Sequence, residues 1–477
     1  MNYKLLIAPL TIILGLNACT PIGPNYSPPQ TSIPDQWNTS LQASLKTPTP
    51  NIELWWKKFN DPTLNKLINL AESQNNNLAI AAERVEEARA RRGFASGALA
   101  PTLGSGGGIT RNRSSESLPF ASPNPSNLYD TGLNASWEAD FVGGIRRSVE
   151  AASASLEATQ EVYHDTMVII YADVAQNYIT YRTLQRRISL AQSNITAQKK
   201  SVQITKDRKN AGLAPQIDVS QAETNLATSQ ALIPQLQGSL AATLSRLAVL
   251  VGRYPGSIEG LVKGSGSIPS PSGRLSIGIP ANLVRSRPDI RAAERNLAAQ
   301  TALVGVAQAE LYPKFALSGT FALQSNSSGN FIDSSSRAYS FGPSFRWRIF
   351  EGGRIRESIK IEESRTRQAL SSYEQAVLQA VAEVESSLAS IKYEKIRRQL
   401  LDKSVSSSRE TVSLIKDNYT EGLVDFQNVL DAERTVFDRE DTAAASAGQL
   451  AINHVSLYRS LGGGTKMPKQ SILNDKP

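Results

Sequence analysis

GLVDFQNVLDAE, Gly422 to Glu433, has a counterpart 210 positions upstream, GLAPQIDVSQAE, Gly212 to Glu223. Gly, Leu, Val, Ala and Glu recur in register. Compared without a gap, residues 207–252 and 417–462 agree at 11 of 46 positions, where unrelated segments would share roughly three. The correspondence continues upstream. Trp137-Glu138-Ala139-Asp140-Phe141-Val142-Gly143-Gly144 parallels Trp347-Arg348-Ile349-Phe350-Glu351-Gly352-Gly353, one residue shorter. Ala82-Glu83-Arg84 parallels Ala293-Glu294-Arg295, and Leu99-Ala100-Pro101 parallels Leu311-Tyr312-Pro313. Each half therefore has one plan: a helix ending at Leu-x-Pro, two short alternating segments, a Gly-Gly, a very long helix, a glycine corner and a returning helix. Solenoid arrays repeat every 20–50 residues, so a period this long reads as a unit duplicated once.

The long segments carry helical periodicity. Ile169, Ala172, Val174, Ala175, Tyr178 and Ile179 follow 3/4 spacing, with polar residues between them. No proline interrupts Gly143 to Ala214, and Gly353 to Glu421 is equally clear. About 67 residues of helix measure about 100 Å. Such a helix pair, rich in Ala and Ser, cannot bury itself alone and calls for neighbours from other chains. Gly212 and Gly422 stand where the long helices end, a place for the left-handed backbone of a helix C-cap. Asp218 or Pro215 in one copy, and Asp425 in the other, can begin the returning helix.

The alternating segments are strand candidates. Thr102 to Arg111 is glycine-rich. Tyr129, Thr131, Leu133, Ala135 and Trp137 share one face of the second. Phe315, Leu317, Gly319, Phe321 and Leu323 do so in the third, and Tyr339, Phe341, Phe345, Trp347 and Ile349 in the fourth, with Pro343 between. About ten residues each is the length of a tilted outer-membrane strand. No later run reaches the length of apolar residues that a membrane helix needs, so any crossing must be a closed barrel. Four strands cannot close one; three chains would supply twelve.

The amino terminus is a separate object. Met1-Asn2-Tyr3-Lys4 is a short positive start, and Leu5 to Leu16 is an apolar run suited to a signal peptide. It ends Leu16-Asn17-Ala18-Cys19, which resembles a bacterial lipobox, with Asn17 where Ala or Ser is usual. Cys19 is the only cysteine, so it forms no internal disulfide. The resemblance implies cleavage before Cys19, S-diacylglycerol on its sulfur and N-palmitoyl on its amine. Thr20 in place of Asp implies export to the outer membrane. The alternative is a buried free cysteine after an ordinary signal peptide.

Other chemistry is sparse. The net charge of +8 is spread along the chain without a basic block interleaved with aromatics, so nucleic-acid binding has little support. His164 and His454 lie in helical stretches without a carboxylate or cysteine cluster, so no metal site is expected. There is no nucleophile elbow, no HExxH and no P-loop. Neither catalysis nor a cofactor is expected, and transport energy would come from a partner.

At this point the chain resembles a family, the TolC-like outer-membrane factors, in particular the efflux lipoproteins of resistance-nodulation-division drug pumps. The resemblance rests on Cys19-Thr-Pro-Ile-Gly-Pro-Asn-Tyr, on Trp55-Trp56-Lys-Lys-Phe59-Asn60-Asp61-Pro62, and on Ser286-Arg287-Pro288-Asp289-Ile290-Arg291-Ala-Ala-Glu294. It continues in Ala309-Glu310-Leu311-Tyr312-Pro313 and Phe350-Glu-Gly-Gly-Arg354-Ile355. It implies a mainly α homotrimer with a shared 12-stranded membrane β-barrel, four strands per chain, and a long periplasmic α-helical barrel. The implied division is a signal peptide over 1–18, a lipid-anchored extended segment over 19–60, a first repeat over 61–252, a crossing over 253–287, a second repeat over 288–462 and a tail over 463–477. The implied partners are a periplasmic adaptor, an inner-membrane pump of the resistance-nodulation-division class, outer-membrane lipids and small-molecule substrates.

In that family the hairpin tips form a periplasmic mouth, nearly shut until the pump docks. Asp218 and Asp431 match tip aspartates and Tyr419 a latch tyrosine. Asn428 stands where some such channels carry a further aspartate, a ring that is then missing or supplied by Asp425. Threefold symmetry would turn each aspartate into a ring of three charges, which attracts cations. The plainer reading of each aspartate is a helix cap or a solvated face residue. Two alternative functions remain: a duct for protein export with an ABC-type pump, and a periplasmic coiled-coil scaffold lipoprotein without a pore.

Overall fold

Both proline-free segments fold as single uninterrupted helices. In the computed structural model, α3 spans Gly144–Asn210 and α7 spans Arg354–Thr420, 67 residues each. Each is followed after a corner by a 35-residue helix, α4 over Gln216–Leu250 and α8 over Phe426–Ser460. The remaining elements are α1 (Pro62–Gln74), α2 (Asn76–Gly97), β1 (Thr102–Asn112), β2 (Ser126–Ala139), α5 (Glu259–Val262), α6 (Pro288–Ala309), β3 (Lys314–Ser325) and β4 (Arg337–Arg346). The structure describes residues 21–30, 37–38, 52–117, 119, 124–264, 266–271 and 285–465. Cys19 and the signal peptide lie outside the described residues. Among those described, no helix is long and apolar enough to cross a membrane.

The chain divides into two compact units. The first takes the described parts of Met1–Pro29, Glu86–Ala158 and Glu294–Ser372. Its centre is one antiparallel sheet in the order β1-β2-β3-β4. The register sets Ala135 against both Leu103 and Gly319, Leu133 against Phe321, Phe321 against Tyr339 and Phe315 against Phe345. Directly paired residues share a face. One face is therefore apolar and aromatic, and much of it is open: Leu103, Ile109, Phe321, Tyr339, Phe341 and Phe345 are all exposed. The other carries Asn134, Ser136, Glu138, Ser318, Thr320, Gln324, Ser340 and Ser344. The periodicity that marks these strands is thus realised, with one correction. The fourth strand stops at Arg346, so Trp347 and Ile349 lie beyond it. Trp347 is drawn elsewhere: its indole N–H donates to the carbonyl of Leu311 at 3.0 Å. Trp137 makes the same bond to Leu99 at 2.9 Å. Each Leu-x-Pro is thereby pinned beside the strand pair of its own half. Pro343 sits in β4, an edge strand of the chain, where a missing N–H is least disruptive.

The second unit takes the described parts of Gln30–Val85, Thr159–Ala293 and Tyr373–Pro477. Its main core is built on the Trp-Trp motif. Trp55–Phe59 forms a single 3-10 turn, and its three aromatic side chains are buried. Trp55 stacks on Tyr458 at 5.3 Å and Trp56 meets Tyr171 edge-on at 5.1 Å. Asp61 then caps α1, accepting from the backbone N–H of Thr63 and Leu64 at 2.8 and 3.0 Å, with Pro62 in the first turn. Its second oxygen accepts from the Tyr178 hydroxyl at 2.9 Å. One motif therefore supplies both the aromatic plug and the helix start.

The Arg287-Pro288-Asp289 motif gathers charge in the same unit. The Arg287 guanidinium is buried; it donates to the Ser460 carbonyl at 2.6 Å and pairs with Asp289 at 2.7 Å and Glu383 at 2.9 Å. Arg291 pairs with Glu161 at 2.6 Å. Asp165 of α3 lies within this field. Burial above all, and then the charge of Asp289, push its carboxyl up to about 6, against the opposing charges of Arg287 and Arg459. A carboxyl raised on folding makes the folded state the stronger proton binder, so its penalty is full above pH 6 and fades as the pH falls toward 4. Asp165→Asn is therefore expected to stabilise the protein at pH 7.5 and to change it little at pH 4. Thermal unfolding of both proteins across this range measures the difference.

Candidate functional site

The two glycine corners have the same backbone. Gly212 has φ +72° and Gly422 has φ +81°. At the first, Leu213 N–H donates to Arg208 O at 2.8 Å and Gly212 N–H to Lys209 O at 2.9 Å. At the second, Leu423 donates to Asn418 O at 2.9 Å and Gly422 to Tyr419 O at 3.1 Å. This paired closure is the Schellman motif, and its left-handed residue is the reason for glycine. A Cβ on Gly212 would meet no atom within 4 Å, so conformation and not crowding selects it. Pro215 and Asp425 occupy the N-cap positions just before the returning helices, but the Asp425 side chain caps nothing.

The corners are tied together by an arginine. Arg208 of α3 donates to the carbonyls of Tyr419 and Thr420, both at 3.1 Å. Its guanidinium lies over the Tyr419 ring at 4.7 Å. These bonds satisfy carbonyls at the end of α7 and place a cation where the helix dipole is negative. Tyr419 is buried and packs on Phe426 at 5.4 Å, within a small cluster of Val202, Ala222, Val429 and Leu430. Burial raises its hydroxyl above the usual tyrosine value, with Thr205 and Arg208 opposing. A cavity of about 350 Å³, lined by Lys200, Ile204, Lys416, Phe426 and Val429, adjoins the same ring.

The aspartates fall in different places. Asp218 is half-buried; burial first, then the negative charge of Asp425, raise its carboxyl, while Arg208 lowers it. Asp218, Asp425, Arg208 and Tyr419 thus form one electrostatic neighbourhood. Asp431 is exposed on α8, and its carboxylate accepts from Gln427 of its own helix at 3.1 Å. The structure does not bring it into the Tyr419 cluster. His454 is half-buried, and burial followed by Lys395 lowers it to about 4, so it stays neutral near pH 7.

Sequence reasoning missed Arg208 and a second node. Lys206 pairs with Glu223 at 2.8 Å, and Lys416 with Glu433 at 2.7 Å. Both pairs repeat at the 210-residue offset of the corners. The signal was available, since the lysines stand one residue before the compared window. The environments differ. Glu223 is half exposed, whereas Glu433 is buried, accepts from the Ser201 hydroxyl at 2.5 Å and keeps its other oxygen without a partner. Ser201 lies on α3, so this node holds the two hairpins together.

Three comparisons frame this geometry. The family model described as Outer membrane efflux protein matches residues 67–253 and again 279–463. Nodulation protein T of Rhizobium leguminosarum bv. viciae is 30% identical over 480 residues, covering 98% of this chain and 95% of that protein. The Pyoverdine export outer membrane protein OpmQ of Pseudomonas putida is 30% identical, covering 95% and 96%. Among solved structures, the outer-membrane channel OprN superposes with a TM-score of 0.85 at 34% identity, over 93% of this chain and 99% of that one.

The two lysine–glutamate pairs allow a direct contrast. Lys416→Ala strands a buried carboxylate and is expected to cost on the order of 2 kcal/mol. Lys206→Ala removes a solvated pair and should cost about 0.5 kcal/mol. Hydrogen exchange at the amides of residues 410–440 in both variants reads the difference.

Proposed function

The chain belongs to the outer membrane efflux protein family, and on that premise we propose that it is the exit duct of a tripartite efflux system. Three copies join their sheets into one 12-stranded barrel, and their helical hairpins form a tube through the periplasm. The observation that carries this reading is the sheet: four strands, an exposed apolar face, a polar face behind it and two edges, β1 and β4, that no described strand covers. In a bilayer every edge must be paired, and joining β4 of one copy to β1 of the next achieves that. The alternative of a periplasmic scaffold leaves this apolar face without a purpose.

The halves 61–252 and 288–462 each contribute two strands and one hairpin, with 253–287 as the crossing. The duplicated bonds at Trp137 and Trp347, at the two corners and at the two lysine–glutamate pairs support one ancestral unit. Acyl chains on Cys19 fix the mature chain at residues 19–60 to the outer membrane; two chains hold a protein firmly where one does not. Transport draws its energy from an inner-membrane pump, reached through a periplasmic adaptor. The substrates are drugs and other small molecules rather than exported proteins; the export named for OpmQ, of pyoverdine, supports this class.

The mouth lies at the corners. Arg208 and Tyr419 hold the hairpins together, and Asp218, Asp425 and Asp431 supply rings of negative charge under threefold symmetry. Such rings attract cations and repel each other, so the latch opposes a built-in tendency to open.

Planar-bilayer recording tests the whole reading. Small, cation-selective currents blocked by trivalent cations from the periplasmic side are expected. Tyr419→Ala should raise conductance severalfold, because it removes both the aromatic packing and the surface on which Arg208 rests. Asp431→Ala should raise it less and weaken the cation block. If neither change alters conductance or the entry of large antibiotics, the gate assignment fails while the channel stands. Absence of current from trimeric, lipidated protein carrying Tyr419→Ala would instead favour the scaffold.

A further inference from the structure

Residues 21–26, which begin two positions after Cys19, are not a loose tail. Arg147, in the first turn of α3, is 2% exposed and spends its guanidinium on that segment. Its Nε donates to Ile22 O at 2.9 Å; its Nη2 donates to Pro21 O at 3.1 Å, to Gly23 O at 3.2 Å and to Asn25 Oδ1 at 2.7 Å. Its Nη1 pairs with Glu150 at 2.7 Å. Ile22 N–H in turn donates to Val142 O at 3.0 Å, at the turn between β2 and α3. The opposite wall is bare backbone. A Cβ on Gly23 would lie 2.5 Å from Gly305 Cα, and one on Gly305 would lie 2.7 Å from Ile22 O. Four residues on, the Tyr26 hydroxyl donates to Glu294 at 3.0 Å, its ring lies under Arg295 at 5.3 Å, and it packs on Ala154, Ala298 and Ala299. Pro21, Ile22, Gly23, Asn25 and Tyr26 are therefore all engaged by one seat.

A buried guanidinium that donates from all three of its nitrogens is a strong and geometrically specific hold on backbone carbonyls. Only Thr20 separates Cys19 from the clamped Pro21, and two residues span at most about 7 Å. Beside the seat, Phe141 packs edge-on against Phe315 at 5.5 Å, and Phe315 against Phe345 at 6.2 Å. These rings are open in the chain, each more than a third exposed. They form an apolar patch at the end of the sheet where the strap is fastened.

We propose that Pro21–Tyr26 is a strap and Arg147 its receptor, and that together they fix the point from which the acyl chains leave the protein, laying them on the Phe141–Phe315–Phe345 patch. This rests on the lipid-anchor reading of Cys19. Arg147 acts as a positioning residue: it makes acylation hold the base of the sheet at one place, where a free tail of the same length would let it wander.

The test uses full-length protein from cells fed a diazirine-bearing palmitate, illuminated in the membrane. In the unaltered protein, photoadducts should concentrate on peptides containing Phe141, Phe315 and Phe345. In Arg147→Ala, with the acylated amino-terminal peptide unchanged in mass, they should fall about fivefold or more and scatter. Hydrogen exchange at the Ile22 amide should rise about tenfold or more while the β2–β3 ladder keeps its protection. Gly305→Val, which crowds the seat and leaves the charge, should do the same; if either variant loses the ladder, Asn25→Ala removes one acceptor and should give a smaller shift in the same direction. Unchanged adducts in a variant whose Ile22 amide is released would overturn the proposal, as would an unprotected Ile22 amide in the unaltered protein. An amino-terminal peptide without acyl groups would instead overturn the lipid anchor, and Ile22 protection in Cys19→Ser would still report on the strap.

Discussion

Backbone hydrogen bonding at the outer edges of β1 and β4 is the constraint from which the rest follows. Among the described residues the sheet has two open edges and an exposed apolar face, an arrangement that water penalises and that a bilayer tolerates only when both edges are paired. The proposed joining of β4 of one copy to β1 of the next answers this constraint, and everything attached to the sheet would then repeat around an axis. The 67-residue helices fit the same proposal. Their cores are dominated by Ala, Val and Tyr at helical spacing, and long exposed stretches between leave surface for neighbours.

The two halves carry matching parts at the 210-residue offset, and they also differ at particular positions. Both corners close with the same pair of backbone bonds, and both Leu-x-Pro turns receive an indole N–H. The lysine–glutamate pairs share spacing but not surroundings. One remains solvated; the other is covered by α3 and draws in Ser201. Burial turns a pair worth little into one whose disruption is expensive, so the second hairpin is fastened more tightly than its sequence twin. Arg208 has no twin at all, because Asn418 stands at the equivalent position. The Arg208 tie between the corners is thus asymmetric, although the corners themselves repeat.

The three sequence motifs outside the repeat each prove to be a fastening. Trp55-Trp56 plugs a core and Asp61 starts a helix. Arg287 joins the entry of α6 to the end of α8 and to Glu383 of α7. Arg147 holds the segment after Cys19. Two of the three rely on a buried arginine bonded to carbonyls, a choice that suits joints between irregular segments, where no ladder of backbone bonds is available.

Periodicity was enough to read the long helices, their ends at Gly212 and Gly422 and all four strands, because these depend on local spacing and on backbone conformations that few residues accept. It placed the end of the fourth strand too late, since the alternation runs on through Trp347 while the hydrogen-bonding partner of that indole lies 36 residues upstream. The candidate aspartates were legible as residues but not as a group. Asp218 and Asp425 share an electrostatic neighbourhood, and Asp431 stands apart on its own helix. What the sequence by itself determined was the long helices, their glycine ends, the four strands and the 210-residue repeat that orders them. What only the tertiary structure decided was which side chains bridge the hairpins and which charges are buried. Those properties depend on contacts between residues some two hundred positions apart, such as Arg208 with Tyr419 and Ser201 with Glu433, and no local pattern records them.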